Sequence, residues 1–136
     1  MNAKDPFAGF WNLNPGRSQF CSGHRPTSGT MFWESTPEGY LMRAEGTTYD
    51  GKAVQERQQV FNLDEKEHPV PAAPGLVAIA RHPDANTIHV QAKNADQMVG
   101  VGSYIVSADG TTLIAAVSGT DARQKPFLTV AVWDRQ

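Results

Sequence analysis

The chain holds a single cysteine, Cys21, in 136 residues. A lone cysteine excludes any disulfide within the chain. Blocks of like charge are missing too: 12 basic residues stand against 14 acidic ones, for a formal net charge of −2. The densest charged stretch, Asp64-Glu65-Lys66-Glu67, mixes both signs. A nucleic-acid partner needs a basic stripe, so none is expected. No run approaches the roughly 20 apolar residues of a membrane-spanning helix. The opening Met1-Asn2-Ala3-Lys4-Asp5-Pro6 has no apolar signal core. A cytoplasmic location is the default expectation, although an exported chain trimmed of its signal would read the same way. No segment shows a 3.6-residue apolar period over a helical length.

What remains is an ordinary globular composition, 40% hydrophobic, long enough to bury a core as one domain over residues 1–136. Its dominant signal is short apolar–polar alternation broken by turn residues. In Thr87-Ile88-His89-Val90-Gln91-Ala92-Lys93 the apolar residues fall at every second position, which marks a strand with one dry face. Leu76 to His82 precedes it across Pro83-Asp84-Ala85-Asn86. Pairing His82 with Thr87 places Val77 and Ile79 on the dry face with Ile88 and Val90. The same pattern recurs at residues 7–13, 30–35, 40–48, 52–61, 98–106, 111–118 and 126–133. That makes about nine strands, mostly joined by tight turns. Residues 14–27 and 62–75 read as irregular.

Such a meander either closes or leaves two exposed edges. The expected fold is therefore all-β: an antiparallel up-and-down barrel, lipocalin-like, of about 8–10 strands. A barrel of that size holds side chains or one small ligand. A Greek-key sandwich needs long crossings that are scarce here.

Few residues carry evident chemistry. Cys21 and His24 lie close in sequence, but no second Cys/His pair completes a metal site. His82 and His89, with Asp84, share a wet face and read as surface residues. No metal site and no cofactor are expected. The strand Val54-Gln55-Glu56-Arg57-Gln58-Gln59-Val60 is polar on both faces. Charge facing a barrel interior is costly unless paired or wet. This strand therefore lines a hydrated pocket or sits at the rim. Arg43 and Glu45 share a face of the preceding strand, within reach of Glu56 or Arg57. Gly100 and Gly102 point to one face and leave room for a ligand or permit coiling. The candidate ligand-binding residues are Arg43, Glu56, Gln58, Tyr104 and Trp33, the last also readable as core packing.

Gly9-Phe10-Trp11-Asn12-Leu13-Asn14-Pro15-Gly16-Arg17-Ser18-Gln19-Phe20 resembles the opening of an uncharacterised bacterial lipocalin-like (calycin-type) family, G-x-W-x-L-N-P-x-x-S-x-F. Asp84-Ala85-Asn86-Thr87, Val106-Ser107-Ala108-Asp109-Gly110, Gly119-Thr120-Asp121-Ala122 and the closing Trp133-Asp134-Arg135-Gln136 are similar to the same family. The resemblance implies a barrel of about eight to ten strands and no established activity. Two features depart from it. The secretion signal common in that family is missing, and Arg123-Gln124-Lys125-Pro126 lacks the usual glycine before the proline.

Three functions compete: a binding barrel for a small, largely apolar molecule, a filled barrel with a structural or interaction role, and a small-molecule enzyme. The enzyme would work through Glu56, His68 or His24 at the mouth, and a non-enzymatic role is favoured. The state of the interior, open or filled, separates these readings.

Overall fold

A computed structural model describes residues 5–20, 26–48, 53–69, 75–95, 97–120 and 126–136. Among them, eleven strands form one antiparallel sheet. They are β1 (Gly9–Leu13), β2 (Gln19–Phe20), β3 (Pro26–Ser35), β4 (Gly39–Thr48), β5 (Ala53–Asn62), β6 (His68–Pro69), β7 (Leu76–Asp84), β8 (Thr87–Asn94), β9 (Gln97–Val106), β10 (Thr112–Thr120) and β11 (Pro126–Arg135). The order β5-β4-β3-β1-β11-β10-β9-β8-β7-β6 is a meander whose first and last long strands pair. The barrel is thus joined at the chain ends, and its ladder is interrupted between β5 and β6. At one end of that interruption Glu65 N–H donates to the Ala80 carbonyl at 3.3 Å, and Arg81 pairs with Glu65 at 3.5 Å. Stitching one end leaves the barrel nearly closed.

The stretch that most resembles a family motif has a plain structural job. After β1 the chain leaves the sheet as a single 3₁₀ turn, Pro15–Arg17, and returns as β2 beside the same neighbour, β11. Asn14 caps that turn, its side chain accepting from Arg17 N–H. Asn14 N–H donates to the Val132 carbonyl at 2.7 Å, and Val132 N–H donates to Ser18 Oγ at 2.8 Å. The two polar residues flanking the excursion thereby supply the ladder bonds that a continuous strand would have made, which a buried backbone requires.

The β7–β8 hairpin corrects the expected register. Asp84 pairs with Thr87 across a two-residue turn, while Arg81 pairs with His89. Two residues, His82 and Pro83, therefore oppose Ile88 in a β-bulge, where the missing N–H of proline costs no ladder bond. This one-residue slip turns β7 over. Ala78 and Ala80 pair with Ala92 and Val90, and Val77 and Ile79 pair with Lys93 and Gln91. The inner wall is consequently lined by smaller side chains than the sequence pattern suggests. A second difference is β6, two residues inside the stretch read as irregular, which pairs with Val77 and Ala78.

Candidate functional site

Strand alternation divides the interior into two halves. In the half where β1 begins and β11 ends, the inner rungs carry large rings. Trp33 packs between Phe7 and Phe61, with ring centroids 5.2 Å away in each case, and lies parallel to Phe61. Tyr40 and Tyr104 meet the Trp33 ring edge-on at 5.7 and 5.5 Å. Trp11, Met31, Met42, Ile88, Val106 and Leu113 complete this core. Offset and edge-on ring contacts add to the apolar burial.

This end is sealed by the segment before β1. Phe7 is fully buried and plugs the barrel, and Trp11 Nε1–H donates to its carbonyl at 3.0 Å. Tyr40 O–H donates to the Asp5 carboxylate, 2.6 and 2.7 Å from its two oxygens. Arg135 binds the Pro6, Ala8 and Gly110 carbonyls at 2.5, 2.8 and 2.7 Å, with its guanidinium 4.2 Å from the Trp11 ring centroid. The adjoining Ser107–Thr111 turn is held by Asp109, which accepts from the Ser107 and Thr111 hydroxyls and from Thr111 N–H. The Ser107 bond first, then those from Thr111, lower its carboxyl to about 2.

The opposite half is built differently. Its rungs are Ala80–Val90–Gly102–Val117 and Ala78–Ala92–Gly100–Gly119. These residues are small, and although they face inward, most of them remain half-buried, as do Leu13, Ala44 and Trp133. A Cβ placed on Gly102 would meet its neighbours, Tyr104 and Val117, only at 3.7 Å, an ordinary contact. A methyl would therefore fit at Gly102, whereas one on Gly100 would lie 3.3 Å from the Ser118 carbonyl oxygen. Gly29, by contrast, lets the Trp133 ring come close, since a Cβ there would lie 3.3 Å from it. The indole N–H groups of Trp33 and Trp133 are shielded from water and have no hydrogen-bond partner among the described residues.

Of the five candidate residues, the structure brings Trp33 and Tyr104 together and sets Arg43 apart from them. Trp33 and Tyr104 stand together on the inner face, at the floor of the small-residue half. Arg43 is exposed on the outer face, beside a depression of about 280 Å³ lined with Phe10, Thr30, Phe32 and Glu45. Gln58 is the ladder partner of Arg43. The side chains of Glu56 and Gln58 lie outside the described residues, as do Cys21 and His24. His68 contacts Asp64 at 2.8 Å on the surface, and His89 Nδ1 lies 2.9 Å from Ser103 Oγ. Sequence reasoning missed the inward alanines of β7 because it misplaced the register. It missed Phe7, Asp5 and Arg135 because nothing local marks a plug. The available signal was the pair Gly100 and Gly102.

Both inner tyrosines hold their protons tightly. Burial, then the hydrogen bond and charge of Asp5, push Tyr40 well above the usual phenol range. Burial alone raises Tyr104 to about 12. The folded state therefore keeps protons that the unfolded chain releases near pH 10. This contribution is complete below that pH and is lost as pH rises through the folded values. The urea midpoint is expected to hold level up to about pH 10 and then fall steadily, with a shallower fall in Tyr104→Phe. An equally steep fall in the variant would contradict the assignment.

No family model matches the sequence, and no curated protein matches it. Solved structures match over almost the whole chain. Zebrafish ileal bile acid-binding protein, complexed with cholic acid, superposes with a TM-score of 0.59 at 8% identity, over 96% of this chain and 99% of that one. The fold is that of a nearly closed, lipocalin-like antiparallel β-barrel. As-p18, an extracellular fatty acid binding protein, gives a TM-score of 0.55 at 13% identity, over 97% of each chain. Secretory abundant heat soluble protein 4 from Ramazzottius varieornatus gives 0.58 at 7% identity, over 100% and 99%. At these identities the likeness is one of fold. Among the described residues no helix is long and apolar enough to cross a membrane.

Proposed function

We propose that this calycin-type barrel binds a small, largely apolar molecule in the half of its interior lined by small residues. The observation that carries this reading is the contrast between the two halves. One is filled with aromatic rings. In the other, most inward residues stay half-buried, and the side chains at Ala78, Ala92, Gly100 and Gly119 are too small to fill the space between the walls. Concave apolar chambers with few polar groups are the usual form of a small-molecule site. Trp33 and Tyr104 form its floor. The unpartnered indole N–H groups of Trp33 and Trp133 favour a ligand with an acceptor oxygen, since a buried donor left unpaired costs about 1–3 kcal/mol. A bile acid-binding and a fatty acid-binding protein among the structural neighbours support the same ligand class, as does the resemblance of residues 9–20 to a lipocalin-like family.

The test uses a fluorescent apolar probe, anilinonaphthalene sulfonate, with the folded protein. Saturable binding is expected, and Gly102→Leu is expected to weaken it at least tenfold, about 1.4 kcal/mol. Arg43→Ala, on the outer wall, leaves it unchanged. Absence of saturable binding, or an undiminished signal in a folded Gly102→Leu protein, would overturn the reading.

A further inference from the structure

Where the barrel ladder breaks, a short strap crosses the break. Residues 63–69 run from the end of β5 back along the edge of β7. At the first end Leu63 N–H donates to the Glu38 carbonyl at 3.0 Å, and the Leu63 side chain packs on the core. At the last end His68 and Pro69 pair with Ala78 and Val77. Between them the chain is not a strand. Glu65 stands at φ 60°, in the left-handed region that a residue with a Cβ enters only at a cost.

The ties of this strap to the barrel are weak ones. Long ladders join β7 to β8 and β10 to β11. The strap offers β7 only its two paired residues, and Pro69 has no N–H to donate. The Glu65 N–H reaches the Ala80 carbonyl at a long 3.3 Å. Arg81 with Glu65 at 3.5 Å and Lys93 with Glu67 at 3.9 Å are surface ion pairs, which add little to stability. A segment held in this way opens locally while the core strands stay paired.

The strap lies against the half of the interior lined by small residues. Ala78 and Ala80, on the β7 lip of the break, are inner rungs of that half. On the β5 lip Gln59 is the ladder partner of Met42 and shares its inward side. Met42 is buried, yet Gln59 is exposed. Among the described residues no strand flanks β5 beyond Gln59, so water reaches an inward position through the break. We infer that the strap of residues 63–69 is the gate by which an apolar ligand enters and leaves the chamber, through the side wall between β5 and β7. This rests on the binding function proposed above. The charged ties of the strap involve no side chain that lines the chamber. Loosening them therefore speeds entry and exit alike and leaves the dissociation constant unchanged.

Stopped-flow fluorescence with anilinonaphthalene sulfonate reads both rates. Pro69→Cys with Val77→Cys, ladder partners on the outer side of β7, locks the strap by a disulfide in a Cys21→Ala background. In the oxidised protein the association and dissociation rates are both expected to fall at least tenfold, with the dissociation constant within about twofold. Reduction restores them. Glu65→Gln and Glu67→Gln each raise both rates about threefold, the scale of one exposed ion pair. If the disulfide does not form, these two variants carry the test. Unchanged rates in the oxidised protein would overturn the inference and place entry at an end of the barrel. A rise in the association rate alone would also overturn it, since that is electrostatic steering of an anionic probe. A wild-type protein that binds no probe at all removes the binding function and the gate together, whereas binding at unchanged rates removes the gate alone.

Discussion

Trp33→Ala is expected to destabilise the protein by about 3–5 kcal/mol, the range for removing a large buried aromatic. Trp33 is fully buried and is the hub of the ring cluster, touching Phe7, Tyr40, Phe61 and Tyr104. Its loss leaves a void among side chains that stand on four different segments, and a rigid sheet cannot collapse to fill it. For a chain of this length the melting temperature should drop by roughly 10–20 °C. Trp33→Phe makes an informative companion. It keeps a ring against Phe61 and removes an indole N–H that has no partner among the described residues. Because the lost volume is partly offset by removal of a desolvated donor, it should cost well under half as much. Urea unfolding of both variants measures the difference. Equal losses would mean that the N–H has a partner in solution.

Arg135→Met should cost about 3 kcal/mol, through the loss of charge-assisted hydrogen bonds and a cation–π contact. The side chain is only partly buried, which keeps the figure below the sum of its contacts. The location of the effect matters more than its size. Arg135 ties the Pro6 and Ala8 carbonyls to the end of β11 while covering Trp11. Without it, Phe7 loses the clamp that holds it in the barrel end. Hydrogen exchange at Phe7 and Ala8 should rise far more than at β9 or β10, which local opening of a single segment predicts. Uniform acceleration along the chain would instead show that Arg135 supports the whole barrel and not the plug. The Tyr40–Asp5 bond should weaken with it, so the fall in stability above about pH 10 should be shallower than in the parent protein.

Much of this molecule is legible in its residues alone. Period-2 alternation marks the strands because a sheet with one dry face places its apolar residues at every second position. Evenly spaced strands with no helical segment imply closure. Gly100 and Gly102, two apart, mark one face of their strand as lacking side chains. Other features are illegible for a physical reason. Whether Val77 or Ala78 faces inward depends on one extra residue at His82–Pro83, and a bulge leaves the alternation on either side intact. Arg43 and Trp33 look equally suited to a ligand, since a strand pattern identifies two faces without saying which one encloses space.

The sequence by itself determined the class of fold and the meander of strands, because these follow from local periodicity and composition. Only the tertiary structure decided where the ladder is interrupted, which end is plugged, and which half of the interior carries the large rings. Those depend on contacts between residues more than a hundred positions apart, such as Arg135 with Pro6 and Asn14 with Asp134. No local pattern encodes such meetings, since they exist only once the first strand and the last have closed on each other.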